Sequence, residues 1–511
     1  MNEIDPSYRF SADAVRAFDD DGAYAGHSGG LNATARQIAI QYRRDTMSPI
    51  MVSGVMRLVE FALMTVVGLS VHIVYLGLSS LAPRDVTVVL SGSLLAVILL
   101  EFAGAYQMAT LRQPLAHASR LLIMWAGAFA LLAVAGFLLK VSQEFSRVWF
   151  AGWLTAGLVV LFALRVVVSR LMRRWARNGT MERRAVIVGG GPTAEGLIRA
   201  LEQQPYNDIR ICGIFDDRDE RRSPSLVAGY PKLGNVLELI EFARIARIDM
   251  LIVSLPMTAE TRVLSMLKKL WVLPVDIRLS AHSNRLRFRP RTYSFIGSVP
   301  MVDIFDKPIN DWDSVAKRAF DIVFSLLGIL VFSPVMIATA VAIKLDSKGP
   351  VLFRQKRHGF NNELIEVYKF RSMYTEQCDP AARNVVVKND PRVTRVGRFI
   401  RRTSIDELPQ FFNALFGSLS LVGPRPHAVA AQTHSRLFNE VVDGYFARHR
   451  VKPGVTGWAQ INGWRGEVDN DEKIRMRTEY DLAYIENWSL WFDLKILLLT
   501  PVRLLNTENA Y

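Results

Sequence analysis

Four apolar stretches, roughly Phe61–Ala82, Val86–Tyr106, Leu121–Leu139 and Val148–Ser169, dominate the first third of the chain. Each is close to the roughly 20 residues a helix needs to cross a bilayer. In lipid every backbone N–H and C=O must be satisfied inside the segment, so such stretches fold as helices. The connections are short, which predicts two helical hairpins. Arg43, Arg44 and Arg57 precede the first stretch, and Arg170, Arg173, Arg174 and Arg177 follow the fourth. Arg112 and Arg120 lie between the second and third, whereas the two outer connections set Arg84 beside Asp85, and Lys140 and Arg147 near Glu144. The positive-inside bias places both ends in the cytoplasm. His72, Glu101 and Arg165 fall in or near these stretches. The expectation is that Glu101 and Arg165 reach the interface while His72 faces the bundle.

The rest of the composition agrees. Half of the 511 residues are hydrophobic, and the formal charge is +14. A basic balance suits nucleic acid, anionic lipid or phosphorylated substrates. The apolar stretches select the last two, so no nucleic-acid partner is expected. The two cysteines, Cys212 and Cys378, form no CxxC or zinc spacing, which argues against a disulfide framework. Residues 1–52 are read as a disordered cytoplasmic tail, because their first 45 or so are polar and non-periodic.

At Arg184 the pattern changes. Arg-Ala-Val-Ile-Val-Gly-Gly-Gly reads as a buried strand running into a glycine turn and a helix, Pro192–Gln204. Gly189, Gly191 and Ala194 fit G-x-G-x-x-G/A, and Ile209–Phe215 ends at Asp216-Asp217, where a ribose-binding acid would stand. With a further strand at Met250–Ser254, this predicts a doubly wound, Rossmann-like α/β domain. A glycine fingerprint alone is weak. Short-chain dehydratase or oxidoreductase chemistry also requires Tyr-x-x-x-Lys, and no tyrosine here is followed by lysine at that spacing. A scaffold role without chemistry is therefore favoured. The basic segment Arg285–Arg291 either meets lipid headgroups or is a solvated strand.

A fifth apolar run, Ile322–Ile343, is long enough to span, but Ser333-Pro334 interrupts it, and Lys317, Arg318 and Lys344 flank it. Proline removes a helix hydrogen bond and kinks the helix. The serine hydroxyl can satisfy the freed carbonyl. Such a helix can enter one leaflet and leave by the same face.

Beyond Val351 come Phe353–Arg357, the run Lys369-Phe370-Arg371-Ser372-Met373, Val396–Gln410 ending in Asp406-Glu407-Leu408-Pro409-Gln410, Ser418–Pro426 and Arg450–Gly466. Carboxylates serve as nucleophiles and as Mg²⁺ ligands, and arginines grip phosphate oxygens in pairs. Asp406-Glu407 amid so many arginines suits cleavage of a diphosphate. Ser404-x-x-Glu407 also has the form of a capping box, so helix capping explains the acids equally well from sequence alone.

These motifs, in this order, resemble the polyprenyl-phosphate hexose-1-phosphate transferases, the monotopic phosphoglycosyl transferase superfamily, over residues 314–511. The four spans and α/β domain resemble the N-terminal half of its long bacterial members. The resemblance implies a membrane protein of α plus α/β class: a tail (1–52), a four-helix transmembrane region (53–170), a non-catalytic Rossmann-like domain (171–312) and an α-rich catalytic domain (313–511) with a re-entrant helix at about 315–345. It implies that Asp406 attacks the phosphate bearing the sugar of a UDP-sugar and expels UMP. Undecaprenyl phosphate then takes the sugar phosphate from the aspartyl intermediate. Glu407 would bind Mg²⁺ or handle a proton, Lys369, Arg371, Arg401, Arg425 and Arg465 would hold phosphates, and Ser333-Pro334 would be the re-entrant break. The implied setting is the cytoplasmic face of the bacterial inner membrane, in contact with lipid, at the first step of exopolysaccharide, capsule or holdfast-type synthesis. The Ile461–Glu467 stretch resembles the glucose branch rather than the galactose branch. The tail Trp488–Leu505 reads as an interfacial amphipathic helix or one packed on the core. A membrane-anchored nucleotide-sugar dehydratase or epimerase is the alternative. A non-enzymatic export scaffold is a third, and a homo-oligomer stays open.

Overall fold

The computed structural model describes residues 30–43, 48–177, 182–204, 209–218, 223–255, 259–280, 294–296, 299–375, 390–427, 432–433, 436–437, 442, 444–464, 466 and 470–504. The basic segment Arg285–Arg291, Cys378 and Arg465 lie outside these residues. The chain divides into two compact units, Asp45–Arg183 and a second made of Met1–Arg44 with Arg184–Tyr511.

The first unit holds α2 (Pro49–Leu76), α3 (Pro83–Phe102), α4 (Ala118–Leu138) and α5 (Arg147–Arg177). Among the described residues five helices, these four and one in the second unit, are long and apolar enough to cross a membrane. Where hydrocarbon surrounds helices, association depends on close packing and inter-helix hydrogen bonds. Trp125, Trp149 and Trp153 supply both. Their indole N–H groups donate to the carbonyls of Leu154, Gly68 and Met64. A Cβ at Gly68 would come within 2.8 Å of Trp153, so the glycine makes room for the ring.

Arg165 does not reach the interface as expected. It is 1% exposed and forks onto Glu60, with Nε 2.5 Å from Oε1 and Nη2 3.0 Å from Oε2. The Tyr106 hydroxyl donates to the same carboxylate. A guanidinium buried at this depth needs a counter-charge, and Glu60, unremarked in the sequence, provides it. Glu101 is half exposed and pairs with Arg57. His72 is buried, with Nε2 3.3 Å from Ser80 Oγ.

The second unit begins with α1 (Ala33–Gln41), where a disordered tail was expected. Asn32 caps the helix, and Ala35 and Ala39, one turn apart, are fully buried against the α/β core. Two methyl-sized side chains at i and i+4 let α1 lie close to its neighbour. The Tyr42 carbonyl accepts hydrogen bonds from Arg184 and from the Arg247 amide.

Strands β1 (Arg183–Val188), β2 (Ile209–Phe215), β3 (Leu226–Val227), β4 (Tyr230–Gly234), β5 (Met250–Val253), β6 (Asp276–Ser280), β7 (Ser294–Ile296) and β8 (Val299–Phe305) form one sheet, in the order β3-β4-β2-β1-β5-β6-β8-β7. The pairs β2/β4, β1/β5 and β5/β6 are parallel. Antiparallel β8 and β7 extend one edge and β3 the other. Helices α6 (Pro192–Glu202), α7 (Val236–Ile245) and α8 (Glu260–Leu270) connect strands, and β1 from Ala185 on and all of β5 are apolar because both sheet faces are covered.

The remainder centres on α9 (Asp311–Asp346), a helix of 36 residues containing Pro334. Pro334 cannot donate to the carbonyl of Leu330, and the Ser333 hydroxyl does so instead at 2.9 Å. Then come the hairpin β9 (Leu352–His358) and β10 (Leu364–Phe370), α10 (Arg395–Thr403), α11 (Gln410–Phe416), and the parallel pair β11 (Ser420–Val422) and β12 (Gly454–Thr456). Helices α12 (Asp471–Glu486) and α13 (Leu490–Leu504) complete the fold. Helix α13 buries Asp493 and Ile496 against this core and exposes Trp491, Leu498 and Val502.

Both ends of α9 are bonded to this same core. Near its start, Lys317 Nζ lies 2.6 Å from Asp493 and Asp321 accepts from Ser420 and the Leu421 amide. Near its end, Asp346 accepts from the Val396 amide. Between them, Phe332 stacks on Phe411 at 6.1 Å. Leu326, Leu327, Leu330 and Val331 point outward, all more than half exposed.

Candidate active site

Asp406 and Glu407 stand in a single 3₁₀ turn, Ile405–Glu407, wedged between α10 and α11. Ser404 makes the junction with φ of 60°, a left-handed conformation that ends α10 and redirects the chain. The capping-box reading fails here. The Ser404 side chain makes no cap hydrogen bond, and α11 begins only after Pro409. Glu407 turns instead toward two cations. Lys369 Nζ lies 2.9 Å from Oε1, Arg425 Nη2 lies 2.6 Å from Oε1, and Arg425 Nη1 lies 3.3 Å from Oε2.

The backbone explains why these groups meet. Lys369 is on β10 opposite Phe353 of β9, so strand alternation puts it on the face that also carries Gln355 and Arg357. Arg425 follows β11, whose pairing with β12 fixes the loop: the Gly423 amide donates to the Thr456 carbonyl and the Gly454 amide to the Pro424 carbonyl.

The two carboxyls are driven apart. Burial alone would raise Glu407, but Arg425 and Lys369 outweigh it and hold it well below the usual carboxylate range. Asp406 is raised, first by burial and then by the negative Glu407, against the pull of Lys369, Arg401 and Arg425. No helix N-terminus offsets this rise. The seven-residue α11 starts four residues on, and the anionic neighbour is closer. Burial lowers Lys369. Burial and then the repulsion of Arg425 bring Arg357 down to about 10. Unequal affinities in adjacent carboxyls assign one group to stay charged and the other to exchange its proton.

Of the arginines read from sequence, Arg425 bonds the pair directly and Arg401 acts on Asp406 through its charge. Arg371 is used otherwise. It is 3% exposed, and its Nη atoms donate to the carbonyls of Ser347 and Lys348 and to Thr375, fastening the chain after α9. Arg357 was passed over. Only a strand assignment for Phe353–Arg357 would have put it on the same face as Lys369.

The glycine turn of the α/β domain is closed by its own chain. Gly189 and Gly191 have φ of 98° and 86°, and Ala194 is buried. Asp216, expected to meet a ribose, is 1% exposed and accepts the Gly190 amide at 2.6 Å and the Arg218 guanidinium. Asp217 accepts the Val236 amide at the start of α7.

A family model described as "Bacterial sugar transferase" matches residues 312–507, and one described as "CoA-binding domain" matches residues 101–281. A UDP-glucose:undecaprenyl-phosphate glucose-1-phosphate transferase of Xanthomonas campestris is 36% identical over 389 residues, covering 76% of this chain and 80% of the relative. Its namesake from Escherichia coli K12 is 39% identical over 71% of this chain and 76% of the relative. An undecaprenyl-phosphate galactose phosphotransferase of Salmonella typhimurium is 30% identical over 72% of this chain and 77% of the relative. Fold, site and relatives together define a membrane-associated sugar-phosphate transferase. The chain belongs to the polyprenyl-phosphate hexose-1-phosphate transferase family and is a phosphoglycosyl transferase.

The family's chemistry implies Mg²⁺, which takes hard oxygen ligands and accepts one or two protein carboxylates when substrate phosphates supply the rest. Among the described residues no cluster of three or more His, Cys, Asp or Glu could hold an ion. The adjacent carboxylates Asp406 and Glu407 fit the sparser kind of site. Glu407 is engaged by Lys369 and Arg425, so it would share one oxygen.

Proposed function

We propose that this enzyme transfers hexose 1-phosphate from a UDP-sugar to undecaprenyl phosphate, releasing UMP. The observation that carries the proposal is the half-buried Asp406, set beside a Glu407 whose charge is already matched by Lys369 and Arg425. Asp406, once deprotonated, attacks the phosphorus that bears the sugar. The bond from that phosphorus to the bridging oxygen breaks, and UMP leaves with the oxygen and its electron pair. An oxygen of undecaprenyl phosphate then attacks the same phosphorus. The aspartyl oxygen leaves with the bonding electrons, restoring the Asp406 carboxylate and giving undecaprenyl-diphospho-sugar. Arg425, Lys369, Arg401 and Arg357 surround the reacting phosphate with positive charge, which stabilises charge spreading over its oxygens. Arg465 would assist. Mg²⁺ held at Asp406 and Glu407 would supply further charge neutralisation.

Glucose is the sugar we favour: the glucose-transferring relatives above are 36% and 39% identical and the galactose-transferring one 30%. The product would start exopolysaccharide, capsule or holdfast-type synthesis at the cytoplasmic face of the inner membrane. Residues 30–43 and 184–280 pack in one unit, which supports an even number of crossings between them, as four would be. The bonds from both ends of α9 to one core support re-entry rather than a fifth crossing.

The test is to incubate membranes with labelled UDP-glucose, Mg²⁺ and undecaprenyl phosphate. Wild-type protein should release UMP and form a labelled lipid, and Asp406→Asn should do neither. Equal product from the variant would sink the nucleophile assignment.

A further inference from the structure

Arg425 sits in a loop whose backbone is gripped by two guanidinium groups. Arg448 Nη2 donates to the Arg425 carbonyl at 2.9 Å, and Arg357 Nη1 donates to the Pro426 carbonyl at 2.5 Å. Arg448 is itself anchored. It is 1% exposed and forms an ion pair with the equally buried Asp481 of α12. Its Nη1 lies 2.6 Å from Nδ1 of His427, the residue that ends the loop, and the Tyr445 hydroxyl is 2.6 Å from the same nitrogen. Burial and then Arg448 keep His427 well below its usual range, so its ring stays neutral and can accept from Arg448. Arg477 lies 3.4 Å from the other ring nitrogen and donates to the Gly466 carbonyl.

Burying such a pair is a weak source of stability, because desolvation costs several kcal/mol per ion and apolar side chains of similar volume often serve as well. What this pair does supply is direction. Asp481 orients Arg448, Arg448 fixes the Arg425 carbonyl and His427, and the loop so held presents the Arg425 side chain to Glu407. We propose that the Asp481–Arg448 pair is a positioning device for the transfer reaction, setting Arg425 on Glu407. The inference rests on Asp406-Glu407 being the reacting pair.

Asp481→Asn leaves the two cations on Glu407, Lys369 and Arg425, chemically intact. A loss confined to kcat in folded protein therefore reports the placement of Arg425.

Full-length Asp481→Asn, Asp481→Glu and Asp406→Asn are compared with wild type in membranes supplied with UDP-glucose, Mg²⁺ and undecaprenyl phosphate, with thermal melting measured in parallel. We expect Asp481→Asn to lose roughly 10- to 100-fold in kcat, the scale of a displaced catalytic group. Its KM for UDP-glucose should stay within about twofold of wild type, and Asp481→Glu should restore kcat. Activity lost only in proportion to folded protein would overturn the proposal. Should Asp481→Asn fail to accumulate, Arg448→Met combined with Asp481→Leu decides. An apolar pair of similar volume keeps the packing and gives the Arg425 carbonyl no donor, so the same loss of kcat is expected, and wild-type kcat refutes the device. Substantial turnover by Asp406→Asn would instead remove the reading on which the inference rests.

Discussion

Arg425 meets Glu407 with two nitrogens, Nη2 at 2.6 Å from Oε1 and Nη1 at 3.3 Å from Oε2. This fork fixes a planar charge beside Asp406, and a lysine cannot copy it. Arg425→Ala is expected to lower kcat by about 10²–10³-fold, the loss seen when one preorganised donor to a developing charge is removed. Arg425→Lys should recover only part of it. Steady-state UMP release by the two variants checks the ordering, and equal rates for Lys and Arg would show that charge alone matters.

The pair also predicts the direction of pH effects. Asp406 must lose its proton to attack, and its affinity for that proton is raised by burial and by Glu407. Activity should therefore fall with decreasing pH at values above the ordinary carboxylate range. Arg401→Gln removes a positive charge that opposes protonation, so the limb should move to higher pH. Glu407→Gln removes the negative neighbour, so what activity remains should show a limb at lower pH. Rate profiles at saturating donor test both signs.

In the membrane unit, Glu60→Gln strands Arg165, which is 1% exposed. Breaking one side of a buried ion pair costs about 3–5 kcal/mol. The thermal midpoint in detergent should drop markedly, and Glu60→Gln combined with Arg165→Met should recover most of the loss. If the double variant melts with the single one, the pair is not what the bundle needs.

Re-entry of α9 is tested by placing cysteines at Asp313, in the first turn of the helix, and at Lys348, just past its end, both exposed, in a protein whose Cys212 and Cys378 are serine. Both should react with an impermeant thiol reagent only from the cytoplasmic side. Labelling of Lys348→Cys from the outside would make α9 a fifth span.

Much of this was legible in the chain because its signals are local. Apolar length revealed the helices long enough to cross a membrane, and the glycine turn with its buried strand revealed the α/β domain. Proline after serine marked Pro334, and Ser333 does serve the Leu330 carbonyl that the proline leaves without a donor. Side-chain partners were harder, since they depend on packing between distant segments. Arg371 sits two residues from Lys369 yet is consumed by the carbonyls after α9, while Arg357, in a run of basic residues, lies beside the pair. Helix α1 was missed because two buried alanines give a weak periodic signal in a polar segment. Asp216 looked like a ligand-binding acid because sequence shows the spacing from the glycine turn and not that the turn's own amide takes the carboxylate.

The most direct measurement omits the acceptor. Purified enzyme is mixed with Mg²⁺ and UDP-glucose labelled in the sugar, quenched, and separated from small molecules. Wild-type protein should retain label on Asp406 and release about one UMP per active site. The label should pass to lipid when undecaprenyl phosphate is added, and Asp406→Asn should retain none. Protein that stays unlabelled while still making lipid product, or label that persists in Asp406→Asn, would contradict the covalent route through Asp406.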